Sequence, residues 1–191
     1  MFKQIVSAPL IILALLSIYF GSYLPLSKSK LYIASIRTAN QVRNLDEFRA
    51  HFDKVLKYYS PVGGEEVVKF LSSDILGMVS GQDQPEAIAK ELASYIEPHL
   101  FKNNVRHQLT GAYIYQNLLN RFGRVEYYQK TEEHYLNAFR IGPKLPPVLY
   151  GLLNLYRMSG DKNKIKEIAS AILSYWPDDK EVAALLEEVN K

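Results

Sequence analysis

Cysteine is absent from the 191 residues. That excludes disulfides, thiolate-held zinc, a cysteine nucleophile and a lipid-modified N-terminal cysteine, and it leaves the redox compartment open. Histidine is scarce: His51, His99, His107 and His134 never fall three to five positions apart, and no H-E-x-x-H occurs, so no helical zinc pair forms. Charge is nearly balanced. The 23 Lys and Arg against 20 Asp and Glu are spread along the chain, which argues against the concentrated basic face of a nucleic-acid binder. No G-x-x-x-x-G-K-[ST] follows Gly63-Gly64, and no serine sits in G-x-S-x-G. Glu132, Glu133 and His134 are consecutive; neighbouring helix positions diverge by about 100°, so a solvated face is expected there rather than an acid–base pair. Arg121, Arg124 and Lys130 read as surface charge. The expectation is a protein that is not an enzyme and has no cofactor, no metal and no nucleic-acid partner.

What the chain does have is apolar surface in helical order. Apolar residues make up 48% and charged residues 23%, the balance of a folded chain with a sizeable core. The longest apolar stretch runs from Ile5 to Leu26 behind Lys3, with tyrosine as its only ionisable residue type. As a helix it reaches roughly 33 Å, against about 30 Å for the hydrocarbon core of a bilayer. Pro9 and Pro25 fall near its ends, and Tyr19 and Tyr23 where an interfacial aromatic belt lies. Residues 1–27 are expected to form a single-pass membrane anchor, with residues 5–26 in the lipid bilayer. A cleaved signal peptide and a buried soluble helix are the rival readings; the first lacks a good small-x-small cleavage site. Lys28, Lys30 and Arg37 on one side, and Lys3 on the other, leave the side of the membrane undecided.

Beyond Lys28 the apolar period is that of helices, as in Phe48, Phe52, Val55, Leu56 and Tyr59, or Ile165, Ile168, Ala169, Ile172 and Leu173. Asn44 with Glu47, Asp83 with Glu86, and Asp178 with Glu181 have capping-box spacing. Helices are expected near 30–43, 46–59, 65–80, 85–101, 104–122, 125–141, 147–159, 162–175 and 179–190, with Pro98 kinking or ending the fourth. Links of a few residues favour antiparallel neighbours.

A shift of 34 positions pairs Leu118 with Leu152, Asn120 with Asn154, Phe122 with Tyr156, Phe139 with Leu173 and Pro143 with Pro177. The segment PVLYGLLNLYRMSGDKNKIKEIASAILSYWPDD, through Leu149, Leu152, Tyr156, Gly160-Asp161 and Pro177, resembles a tetratricopeptide repeat. The preceding unit supplies Tyr115, Leu118, Phe122, Tyr135, Ala138 and Pro143. Leu119 and Leu153 depart from the family's usual Gly, Thr131 and Ile165 from its usual Ala, and Gly123-Arg124 from its Gly-Asp turn. The resemblance implies an all-α chain: an N-terminal transmembrane helix, divergent hairpins over 28–111, and a solenoid of antiparallel helix pairs with a capping helix over 112–191. It further implies a concave groove for a protein or peptide partner, lined by Tyr113, Gln116, Asn120, Arg124, Tyr150, Asn154, Arg157 and Met158. The function so implied is a membrane-anchored interaction or scaffolding module. The bland reading of these residues is a solvated surface. A second resemblance, through DEFRAHFDKVLKYYSPVGGEEVVKFL, is to the C-terminal tails of bacterial polytopic membrane proteins of the O-antigen ligase class; it would make this chain a non-catalytic tail or subunit.

Overall fold

The computed structural model describes residues 2–39 and 44–190, and these are all-helical, without a strand. The helices are α1 (Phe2–Ile18), α2 (Leu24–Ala39), α3 (Leu45–Lys57), α4 (Gly64–Ser80), α5 (Glu86–Ile96), α6 (Val105–Phe122), α7 (Val125–Ile141), α8 (Pro146–Ser159), α9 (Lys162–Tyr175) and α10 (Lys180–Asn190). Two compact units divide the chain within α4, Met1–Leu71 and Ser72–Lys191.

In the first unit α1 and α2 are one rod. A π-helical turn, Tyr19–Tyr23, joins them, and the Leu24 N–H reaches back five residues to the Tyr19 carbonyl. The helix therefore continues past Pro25 and the end of the apolar run, instead of ending there. Proline takes away one N–H and crowds the carbonyl four residues back, and the wider turn just upstream absorbs both defects. The expected helix over 30–43 is the far end of this rod; its residues 40–43 lie outside the described ones. Pro9–Thr38 is long and apolar enough to cross a membrane, with mean hydropathy 1.9 over an 18-residue stretch of it. From Pro9 to Tyr23 every residue is exposed.

From Leu24 onward one stripe of the rod is buried: Leu24, Lys28, Tyr32 and Ser35, at helical spacing. Lys28 Nζ donates to the Tyr58 carbonyl (3.1 Å), and Ser35 Oγ to the His51 carbonyl (3.1 Å). These pairings make α3 antiparallel to α2. Tyr32 packs near Phe52 and Phe70, with ring centroids 6.4 Å away in each case, so α4 leads back along the same rod. Asn44 caps α3 by accepting the Glu47 N–H (2.9 Å).

In the second unit neighbouring helices run antiparallel. Phe101–His107 and Glu97–Tyr115 pair α5 and its end with α6; Gln108–His134, Gln116–Tyr135 and Phe122–Tyr127 pair α6 with α7. Pro98 ends α5 at Ile96, through a short 3₁₀ turn Glu97–His99. Gly123 (φ 65°) and Gly160 (φ 70°) close α6 and α8 in the left-handed region, where a Cβ is strained. Two expected caps are misplaced. Pro85, not Asp83, precedes α5, and its start has no side-chain cap. At α10 it is Asp179, one residue later than expected, that accepts the Val182 N–H (3.0 Å).

Candidate functional site

The eight groove residues read from the sequence fall into two groups. Asn120 on α6 and Asn154, Arg157 and Met158 on α8 are exposed. The others have partners within the fold, Arg124 while itself exposed. Tyr113 meets the Tyr135 ring edge-on at 6.3 Å, and Gln116 accepts the Tyr135 hydroxyl proton (2.8 Å). Arg124 makes a forked bond to Glu86 (3.1 Å to each oxygen). Tyr150 donates to Asp179, which pushes the phenol up to about 12, burial adding to the effect; its ring lies 6.1 Å from Trp176.

Burial follows the 34-residue spacing, and the turn glycines add a second one. In α7 and α9 the buried positions recur at 34: Thr131 with Ile165, His134 with Ile168, Tyr135 with Ala169, Ala138 with Ile172. In α6 and α8 buried pairs recur at 34, as Leu118 with Leu152 and Leu119 with Leu153, and equally at 37, as Leu118 with Leu155 and Leu119 with Tyr156, whereas the turn glycines Gly123 and Gly160 are 37 apart. The reason is length. α7 has 17 residues and α9 has 14, so three additional residues stand between the two turn types. Counted at 34, Asn154 matches Asn120, and both are exposed; counted from the turn glycines it matches Asn117, whose Nδ2 donates to the Tyr113 carbonyl (2.8 Å).

The chemistry-bearing side chains gather elsewhere. A cavity of about 310 Å³ is lined by Lys90, Ser94 and Glu97 of α5 and its end, by Tyr115 of α6, and by Tyr127, Lys130 and Glu133 of α7, among others. Glu97 is its centre. Tyr115 donates to one carboxylate oxygen, and Lys130 Nζ donates to the other (2.6 Å) and to Glu133 (3.2 Å). Burial pushes the Glu97 carboxyl up, but the hydrogen bonds from Lys130 and Tyr115 outweigh it and hold the group below the usual range. Burial, then Glu97, drives the Tyr115 phenol far upward, so it stays a donor.

His134 stands behind this carboxylate and is buried, not solvated as its sequence neighbours suggested. Gln108 Nε2 donates to the Phe101 carbonyl (3.1 Å), which leaves Gln108 Oε1 to accept from His134 Nδ1 (3.0 Å). The network thus assigns the proton to Nδ1. Nε2 has no hydrogen-bond partner and lies 3.8 Å from a Glu97 oxygen. Burial lowers the His134 pKa more than Glu97 raises it. The ring stacks on Tyr115, centroids 5.7 Å apart and 15° from parallel.

The basic residues read as surface charge also join helices. The Arg121 guanidinium donates to the carbonyls of Val79 (2.7 Å), Gln82 (3.0 Å) and Gln84 (2.7 Å), bracing the α4–α5 turn. Sequence reasoning missed this cluster because Glu97, Tyr115 and Lys130 are 15 to 33 positions apart and share no motif. The only signal was indirect: each lies beside an apolar stripe of its own helix.

No family model, curated protein or solved structure matches this chain. An ionised carboxylate held by a lysine and a phenol, beside a buried imidazole, ties the end of α5 to α6 and α7. Among the described residues no group of three His, Asp or Glu side chains is placed to hold a metal ion.

Proposed function

We propose that this chain is a single-pass, membrane-anchored helical-repeat protein that presents its hairpin array to a protein partner close to the bilayer. The observation carrying the reading is the rod's first half. Leu10, Ile11, Ile12, Leu13, Leu15 and Ile18 are each 57–61% exposed, on every side of the helix. A continuous apolar surface of that size calls for lipid or another apolar partner. The array supports the second half of the reading: antiparallel hairpins in sequence, divergent in the tetratricopeptide manner, with Asn154, Arg157 and Met158 on one exposed stretch of α8. Anchoring raises the concentration of that surface around membrane-bound partners without any new contact.

The test has two arms. Full-length chain should remain with membranes through an alkaline carbonate wash; release into the supernatant would end the anchor reading. A photo-cross-linking residue at Asn154 or Arg157 should give discrete protein adducts in intact membranes, and one at Glu187 of α10 should give none. Equal labelling at all three positions would mean an indifferent solvated surface.

A further inference from the structure

The loop joining α3 to α4 exposes Tyr59 (69%) and Val62 (59%) beside Pro61. Nothing in the anchor reading uses them. Their height along the rod can be read from Lys28. Its Nζ donates to the Tyr58 carbonyl at 3.1 Å, and a Cβ built on Gly64 would lie 3.7 Å from the same nitrogen, so both ends of the loop are tied to one point. Helical side chains lean toward the N-terminus of their helix, which here is the apolar end. The tie point is therefore level with Lys28 or nearer the apolar run, and Lys28 stands two residues, about 3 Å, past Leu26. The direction agrees: α3 runs toward that end and α4 away from it, so residues 59–63 cap the bundle where the rod leaves the apolar run.

We propose that this loop is a second membrane contact, with Tyr59 and Val62 seated in the headgroup layer of the bilayer that holds α1. The inference rests on the reading of residues 5–26 as bilayer-embedded. The headgroup layer is roughly 5–7 Å deep on each side, enough to contain a loop that starts about 3 Å beyond the hydrocarbon. Tyrosine suits that layer, since it carries an apolar ring and a polar tip. The nearby charges are mixed: Glu65 and Glu66 follow the loop, and Lys57, paired with Asp53, precedes it. Binding is thus apolar and does not need an anionic lipid. The partner is the bilayer itself, and the two contacts together fix the rotation of the rod about its axis.

The absence of cysteine makes the experiment clean. Single variants Leu13→Cys, Tyr59→Cys, Val62→Cys and Asp46→Cys of the full chain carry an environment-sensitive fluorophore in phosphatidylcholine vesicles. Asp46 is exposed at the other end of α3, about 16 Å farther along that helix. Quenching by lipids with a nitroxide on the headgroup, or deep in the acyl chain, reads depth. Expected are deep quenching at position 13 and headgroup quenching at 59 and 62 at least threefold above the background level at 46. Quenching at 13 with 59 and 62 no different from 46 overturns this inference and leaves the anchor standing. No quenching at 13 overturns the anchor, and this inference with it.

Discussion

Gly151 and Gly77 both sit inside helices, yet their surroundings are opposite. A Cβ on Gly151 would fall 2.3–2.7 Å from the Tyr135 ring and hydroxyl, a side chain already held by Gln116 and Tyr113. Gly151→Ala is expected to destabilise by about 1–3 kcal/mol through overpacking. Gly77 has nothing within 4 Å, so Gly77→Ala is expected to stabilise by about 0.5–1 kcal/mol through backbone entropy. Urea midpoints of the detergent-solubilised chain read both; equal effects would mean that Tyr135 is free to move. A second prediction at this scale concerns acid. His134 has a lowered folded pKa against an ordinary 6.5, so the unfolded chain binds the extra proton first as pH falls. Stability is then full above about 6.5 and declines below it. Glu97, also lowered, adds a further loss as pH falls from its ordinary 4.5 through its folded value. His134→Gln should flatten the first part of the decline and leave the second; an unchanged profile between pH 5 and 6.5 would refute the assignment.

Element by element, the caps separate what spacing alone can show from what it cannot. Asp161 Oδ1 accepts the N–H groups of Asn163 and Lys164 (3.1 Å each), and Asp161→Ala is expected to cost about 1 kcal/mol. Asp83 has the right spacing to Glu86 but does not cap α5. Asp83→Ala should stay within about 0.5 kcal/mol, read on the same urea curves. The difference is tertiary. Glu86, the partner a capping box would use, is taken by Arg124 (3.1 Å) and by the Tyr127 hydroxyl (3.0 Å), which is pushed up to about 12 by burial and by Glu86. Helix existence was legible from apolar period and turn residues. The join of α1 to α2 was not, because nothing in a single proline says whether the preceding turn will widen around it.

For the molecule as a whole the decisive quantity is the exposed apolar half of the rod. A lysine near the middle of a bilayer costs roughly 2.5–3.5 kcal/mol, so Leu13→Lys with Leu16→Lys should move the chain from the membrane pellet to the supernatant in a carbonate wash. The same double change in the surface of a soluble helix would leave its distribution unaltered. Composition and period determined the helical class, the apolar run and most turn positions, because each depends on residues within a few positions of one another. The buried His134, the Glu97 cluster and the three carbonyls on Arg121 were decided only in three dimensions. Such features depend on which side chains two helices bring into contact, and helix length, not local preference, sets that meeting.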